Sequence, residues 1–259
     1  MFKYMVKKDI INNIISHYIV NEIDKIIVCG DIHGEYNDIV YKITQRYKIT
    51  DALVIFAGDC GFGFNRPNYY DNVYNKIKSR LESSNIYMMF VRGNHDNPYY
   101  FNECYINHPR FITVPDYSVI SCLDKNILCI GGAISIDRMY RLQSGKDNIY
   151  WSDEAPIYSH NKLSVITDEF KITNVVTHTA PDFCEKIDKD GLKDFASGDS
   201  NLMKDCLNER QVMTDIYNRL IKDEHPLESW FYGHFHSHWS SEIDGVKFTM
   251  LDIDELSML

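Results

Sequence analysis

Short apolar runs, each bounded by glycine or polar residues, recur at residues 25–29, 52–57, 86–91, 127–130, 175–177 and 230–232. Runs this short and this uniformly apolar predict strands buried on both faces. Between the early runs lie amphipathic stretches at 36–47 and 69–81, long enough for helices, so the chain opens as β-α-β-α-β and reads as an α/β fold. Residues 242–254 alternate about Asp244-Gly245, a tight-turn dipeptide, which predicts an antiparallel hairpin and therefore mixed sheets. At the N-terminus, Ile10, Ile11, Ile14, Ile15 and Val20 recur at three- and four-residue spacing and predict an amphipathic helix over about 8–20, packed on the domain. Segments 135–158 and 182–208 are polar and irregular and read as insertions near a site. No repeat or Pro/Gly/Ser-rich linker divides the chain, so residues 1–259 are expected to form one domain.

Composition narrows the classes. With 44% apolar and 25% charged residues the chain has material for a packed core. Lys+Arg 27 against Asp+Glu 37 gives a net charge of −10, and no long basic run occurs, which disfavours an extended nucleic-acid footprint. No stretch reaches the roughly 18 apolar residues of a membrane span, and the polar residues near the N-terminus interrupt any signal-peptide core. The expectation is a cytoplasmic protein without a membrane partner. The 7 cysteines form no Cys-x-x-Cys pair and read as reduced thiols, with Cys60 a small buried residue.

The chemistry lies in where Asp, His and Asn fall. Gly30-Asp31-Ile32-His33-Gly34 follows the first apolar run, Gly58-Asp59 the second and Gly93-Asn94-His95-Asp96 the third. His178 follows residues 175–177, and Gly233-His234-Phe235-His236 follows 230–232. Each cluster is thus placed at the carboxyl end of a strand, the edge of an open α/β sheet where loops converge and ligand sites form. Carboxylates, an asparagine and several imidazoles make a mixed O/N donor set. Such a set suits divalent Mn, Fe or Zn better than the all-oxygen cages of Mg or Ca. Two ions roughly 3.5–4 Å apart clamp the attacking and leaving oxygens of an in-line displacement, which points to phosphoester hydrolysis.

These blocks, D-x-H, G-D, G-N-H-D, H and G-H-x-H in this order, resemble the calcineurin-like metallophosphoesterases over about residues 26–250. The resemblance implies a four-layer α/β/β/α sandwich with two mixed sheets flanked by helices. It implies that Asp31, His33 and His236 bind one metal and Asn94, His178 and His234 a second, with Asp59 bridging them. His95 resembles the family's non-ligand histidine at the leaving group, with Asp96 supporting its charged form. The implied reaction is in-line attack on phosphorus by a hydroxide shared between two divalent ions, Mn first among them, with Fe and Zn as alternatives.

The chain departs from the protein-phosphatase pattern G-D-x-x-D-R-G: it reads Gly58-Asp59-Cys60-Gly61-Phe62-Gly63-Phe64-Asn65-Arg66, so the phosphate-binding arginine is not at the matching position. Arg66 is a candidate substitute. The segment from Gly131 to Glu154 resembles one in small bacterial and phage-type members, which makes Asp137, Arg138 and Arg141 further substrate candidates, since arginine meets phosphate bidentately. His17, His108, His160, His225 and His238 read as surface histidines. The leading expectation is a two-metal hydrolase of phosphomonoesters or small phosphodiesters, nucleotides included. A nuclease or cyclic-nucleotide phosphodiesterase, a Ser/Thr protein phosphatase and an inactive scaffold that binds proteins are the alternatives. Two divalent ions would add about +4 at the site, so the acidic balance limits the size of the substrate and not its charge.

Overall fold

The computed structural model describes residues 6–102, 106–146, 149–186 and 192–259. In chain order its elements are β1 (Val6–Ile11), β2 (Ile15–Val20), β3 (Lys25–Cys29), α1 (Tyr36–Tyr41, continued by a π-helical turn over Lys42–Arg46), β4 (Ala52–Phe56), α2 (Pro67–Ser83), β5 (Ile86–Phe90), α3 (Tyr99–Asn102), β6 (Asn107–His108), β7 (Phe111–Thr113), β8 (Ser118–Cys122), β9 (Lys125–Ile130), α4 (Arg138–Gln143), α5 (His160–Glu169), β10 (Asn174–Thr177), α6 (Leu192–Gly198), α7 (Leu202–Lys222), β11 (Ser229–Tyr232), β12 (Trp239–Ile243), β13 (Val246–Met250) and β14 (Leu256–Met258).

The strands form two mixed sheets. One has six strands in the order β14-β3-β4-β5-β7-β6, the other eight in the order β1-β2-β8-β9-β10-β11-β13-β12. The central strands β3, β4, β5 and β7 run parallel, as do β9, β10, β11 and β13. The two-residue period of a strand sends alternate side chains to opposite faces, and each face here is buried. Val28, Leu53, Ile55 and Met89 of the six-stranded sheet meet Ile127, Cys129, Val176 and Phe231 of the eight-stranded one, forming the layer between the sheets. Their neighbours Ile27, Val54, Phe56 and Phe90 turn outward onto Ile39, Val40, Val73 and Ile77 of α1 and α2. On the far side Leu128, Ile130, Val175 and Trp230 pack on Leu163 and Ile166 of α5 and Met213, Ile216 and Leu220 of α7. The result is the α/β/β/α layering.

The N-terminal segment departs from its sequence pattern. Residues 8–20 belong to an antiparallel hairpin of β1 and β2, with Ile11 paired to Ile15, and not to a helix. Asn12 and Asn13 adopt φ of 50° and 58°, the left-handed conformation that short polar side chains tolerate at a hairpin turn. The hairpin extends the eight-stranded sheet through β2, which pairs parallel with β8. Polar segments 135–158 and 182–208 contain α4, α6 and the start of α7. Among the described residues no helix is long and apolar enough to cross a membrane. The six described cysteines are free thiols; Cys104 lies outside the described residues. Cys60 is fully buried, and burial pushes its thiol well up, so it sits in the core as a neutral small residue. His225 is buried and not on the surface: its Nδ1 accepts the Ile172 N–H at 3.0 Å, tying the start of the loop before β10 to the end of α7.

Candidate metal centre

Five strands deliver the candidate residues, and they come from both sheets. Loops leaving β3, β4 and β5 carry Asp31 and His33, Asp59, and Asn94 to Asp96; loops leaving β10 and β11 carry His178, and His234 and His236. The site therefore sits where the carboxyl edges of the two sheets meet. Ligand atoms of Asp31, His33, Asp59 and His236 all lie within 4.8 Å of one another. His33 Nε2 stands 3.3 Å from His236 Nε2, and His236 Nε2 stands 3.0 Å from Asp31 Oδ2.

Asp59 joins this group to the next one. His178 Nε2 lies 3.2 Å from Asp59 Oδ1 and 3.0 Å from Asn94 Oδ1. His178 Nδ1 donates to the Ala57 carbonyl at 2.7 Å, which fixes the ring and turns Nε2 toward the two oxygens, the orientation that ligating histidines receive from a backbone acceptor. The His234 ring lies 4.9 Å from the His178 ring, centroid to centroid, and its backbone N–H donates to Asp31 Oδ1 at 3.1 Å.

The electrostatics are those of a cation site. Asp31 and Asp59 are no more than 1% exposed, and Oδ2 of each is buried without a hydrogen-bond partner. Burial pushes the Asp59 carboxyl up, but His95, His178 and His33 outweigh it and hold it well below the usual carboxylate range. Burial likewise lowers His178, yet Asp59 and Asp31 overcome it and the imidazole is pushed up to about 9. Buried carboxylate oxygens and ring nitrogens crowd one another around a common centre, and a divalent cation that takes the place of the imidazole proton satisfies all of them together. The donor set and the two orphaned oxygens fit a pair of divalent ions.

Local backbone geometry is adapted to this convergence. His33, Asp59, His234 and His236 all have positive φ, between 45° and 69°, a conformation that costs a non-glycine residue roughly 1–3 kcal/mol and clusters at functional sites. Glycine provides the close approaches: a Cβ on Gly93 would lie 2.1 Å from Asp59 N, and one on Gly233 2.2 Å from Asp31 Oδ1. Asp96 holds two of the loops together. Its carboxylate accepts the backbone N–H groups of Cys60, Phe62 and Gly93 at 3.0, 2.8 and 2.8 Å. Burial, with Asp59 nearby, raises it to about 6 despite those bonds.

His95 lies at the rim, 21% exposed, with Nδ1 3.8 Å from Asp59 Oδ2 and its backbone N–H donating to Asp59 Oδ1 at 2.7 Å. Arg141 reaches it: one guanidinium nitrogen lies 3.1 Å from His95 Nε2, while Nε donates to Asp137 Oδ1 at 2.8 Å and the remaining nitrogen to the Ile149 carbonyl at 2.8 Å. Arg138 points elsewhere, bonded to Asp199 at 2.6 and 3.2 Å and to Asp205 at 2.7 Å, where it ties α4 to the α6–α7 junction. Arg66 is exposed at the start of α2 and lines a neighbouring cleft with Phe64, Asn65 and Tyr69. Two buried acids are not among the candidate site residues, although Glu154 ends the 131–154 segment. Glu154 is pushed up to about 7 by burial and Glu209 to about 8. Glu154 stands in the segment marked as polar; Glu209 carries no motif and lies on α7, which the apolar pattern does not announce.

A sequence model of the calcineurin-like phosphoesterases matches residues 24–238, and the chain belongs to that family. The serine/threonine-protein phosphatase 6 catalytic subunit of Caenorhabditis elegans is 25% identical over 154 residues, covering 49% of this chain and 46% of its own. The chain thus spans less than half the length of that curated relative. Among solved structures, a dimetal phosphatase from Danio rerio superposes with a TM-score of 0.49 at 11% identity, over 90% of this chain and 88% of that one. The phosphopantetheinyl hydrolase of Mycobacterium tuberculosis gives a TM-score of 0.45 at 12% identity, over 93% and 97%.

Proposed function

We propose that the chain is a two-metal phosphoesterase acting on phosphomonoesters or small phosphodiesters. The observation that carries this reading is the convergence of Asp31, His33, Asp59 and His236 within 4.8 Å, continued through Asp59 to His178 and Asn94. Asp31, His33 and His236 would hold one ion and Asn94, His178 and His234 the other, with Asp59 shared, because the Asp59 carboxylate lies among the ligand atoms of the first group and 3.2 Å from His178 Nε2. Bound there, divalent ions supply Lewis-acid charge for the phosphoryl oxygens and a hydroxide nucleophile at neutral pH, and Mn is the metal we expect.

His95 and Arg141 complete the site on its open side. A guanidinium only donates, so its contact with His95 Nε2 requires that nitrogen to be unprotonated. A protonated His95 must release Arg141, and both then present N–H donors toward the same space. His95 would protonate the leaving-group oxygen, after which its bare Nε2 is again the partner that Arg141 holds. Arg141 is kept in reach by Asp137 and the Ile149 carbonyl, and would meet the negative charge of the phosphoryl group. This arrangement favours Arg141 over Arg66 and Arg138 as the arginine at the substrate.

The test is turnover of an aryl phosphate and a bis-aryl phosphodiester by the Mn²⁺-loaded chain. Hydrolysis that disappears in Asp59→Asn and His95→Ala is expected. Wild-type turnover in Asp59→Asn would remove the shared-ligand assignment, and two bound metals with no hydrolysis across the panel would favour a protein-binding scaffold.

A further inference from the structure

Asn94 has an amide whose two ends are nearly equal in shape and opposite in chemistry. Only Oδ1 can face a cation; the NH2 in its place would direct two positive hydrogens into the metal pocket. The side chain is 1% exposed, so solvent does not decide which end points inward. Its Nδ2 donates to Ser135 Oγ at 2.9 Å, leaving Oδ1 toward His178 Nε2 at 3.0 Å. That bond selects the correct end only if Ser135 Oγ is an acceptor there, and a hydroxyl has a single hydrogen to place.

Glu154 decides where that hydrogen goes. Its Oε2 accepts from Ser135 Oγ at 2.6 Å while its Oε1 accepts the Ser135 backbone N–H at 2.8 Å. The carboxylate therefore grips both donors of Ser135 and turns the hydroxyl lone pairs toward Asn94. Glu154 is itself 1% exposed. Its backbone carbonyl accepts Arg92 Nη1 at 2.7 Å, and Arg92 Nη2 donates to Asp116 Oδ2 at 2.9 Å. With Glu154 ionised, as it is above its raised value of about 7, the hydrogen bonds all run in one direction, from Asn94 to Ser135 to Glu154, and pH 8 is the condition of the test for that reason.

From this ordering we propose that Ser135 and Glu154 are positioning residues for the second metal, acting through the Asn94 amide and leaving the Asp31, His33 and His236 site untouched. The proposal rests on the two-metal reading above. It separates the two ions: one is held by side chains that the relay does not reach, the other by an amide whose orientation depends on residues 41 and 60 positions away in sequence (135 − 94 = 41; 154 − 94 = 60).

The experiment is calorimetric titration of the metal-free chain at pH 8 with Mn²⁺ alone, joined to electron paramagnetic resonance of the spin-coupled pair. Wild type should show two binding steps. Ser135→Ala and Glu154→Gln should keep the first step and weaken the second roughly 10–100-fold, the usual effect of removing a partner that orients a ligand, with loss of the coupled signal. Ser135→Thr, which keeps the hydroxyl, should restore the second step, and Ser135→Ala placed on Asn94→Ala should add nothing further. Thermal melting of the metal-free variants establishes that each is folded, and if Glu154→Gln is not, Ser135→Ala decides alone. An unchanged second step in folded Ser135→Ala, or equal weakening of both steps, overturns the proposal. Binding of only one Mn²⁺ per chain in wild type overturns the two-metal reading itself, a different outcome from failure of the relay.

Discussion

Gly93→Ala is the smallest change that should dismantle the centre. A Cβ at this position would lie 2.1 Å from Asp59 N, 2.2 Å from Asp59 Oδ1 and 2.8 Å from Asp59 Cα. Ordinary contact begins at 3.4 Å, so the backbone nitrogen would have to retreat by 3.4 − 2.1 = 1.3 Å and the carboxylate oxygen by 3.4 − 2.2 = 1.2 Å. Neither is the end of a flexible side chain. Asp59 N belongs to a left-handed residue with φ of 47°, and Oδ1 is engaged by the His95 N–H and faces His178. The displaced residue is the proposed shared ligand, so both metals lose a partner at once. A shift of about 1 Å in a reacting group costs on the order of 10²-fold in rate. Overpacking a filled site costs about 1–3 kcal/mol, which for a chain of this size lowers Tm by roughly 2–12 °C. The assay is metal content and kcat/KM on an aryl phosphate, with thermal melting alongside. Gly198→Ala is the control: nothing lies within 4 Å of its Cβ, and the change should alter stability by no more than about 0.5 kcal/mol. Two tightly bound Mn²⁺ and turnover within threefold of wild type in Gly93→Ala would refute the reasoning.

Arg141→Ala should lower kcat/KM by about 10²-fold, as loss of a donor at developing charge does. Arg141→Lys should recover little of it, because three separate guanidinium nitrogens serve Asp137, the Ile149 carbonyl and His95 and an ammonium has one; steady-state kinetics on the Mn²⁺ enzyme checks both. Glu209 gives a pH dependence of stability. Burial pushes its carboxyl up to about 8, so between the ordinary carboxylate range and that value the folded state holds a proton that the unfolded chain has released. Its contribution is therefore fully present below the unfolded pKa and is lost as pH rises toward about 8, with a slope approaching 1.4 kcal/mol per pH unit. Glu209→Gln mimics the neutral acid: the amide oxygen can keep the Ile134 N–H bond, and its NH2 faces the Thr179 hydroxyl. Urea unfolding of the metal-free proteins at pH 5.5 and pH 8.5 should show the variant gaining on wild type at the higher pH; an unchanged difference would contradict the assignment.

Much of this architecture could be read from the chain because the central strands are buried on both faces. The runs at 25–29, 127–130 and 230–232 have no polar alternation to obscure them, and β3, β9 and β11 cover those residues. The clusters that converge at the candidate centre were legible for a related reason: each follows such a strand within a few residues, so strand position already gave their meeting place. The N-terminal hairpin was not legible, since a turn at Asn12-Asn13 between two β-branched pairs spaces Ile10, Ile11, Ile14 and Ile15 as a helical face would. Helix α7 was hidden by its own chemistry: buried Glu209 and Arg210 interrupt the stripe of Leu202, Met213, Ile216, Tyr217 and Leu220. Arg210 is accommodated there because it donates to the carbonyls of Pro181, Asp182 and Cys184, partners that no local pattern reveals. The Ser135 and Glu154 relay is likewise a tertiary arrangement between residues that are unremarkable on their own.

The central claim is that two divalent ions, held through a shared Asp59, carry phosphoester hydrolysis. Its most direct test is to strip the chain with a chelator, return Mn²⁺ stepwise and follow hydrolysis of an aryl phosphate against metal bound per chain. Activity that reaches its plateau at two equivalents in wild type, and stays at background in Asp59→Asn, is the predicted result. A plateau at one equivalent, or no hydrolysis at two, would contradict the account.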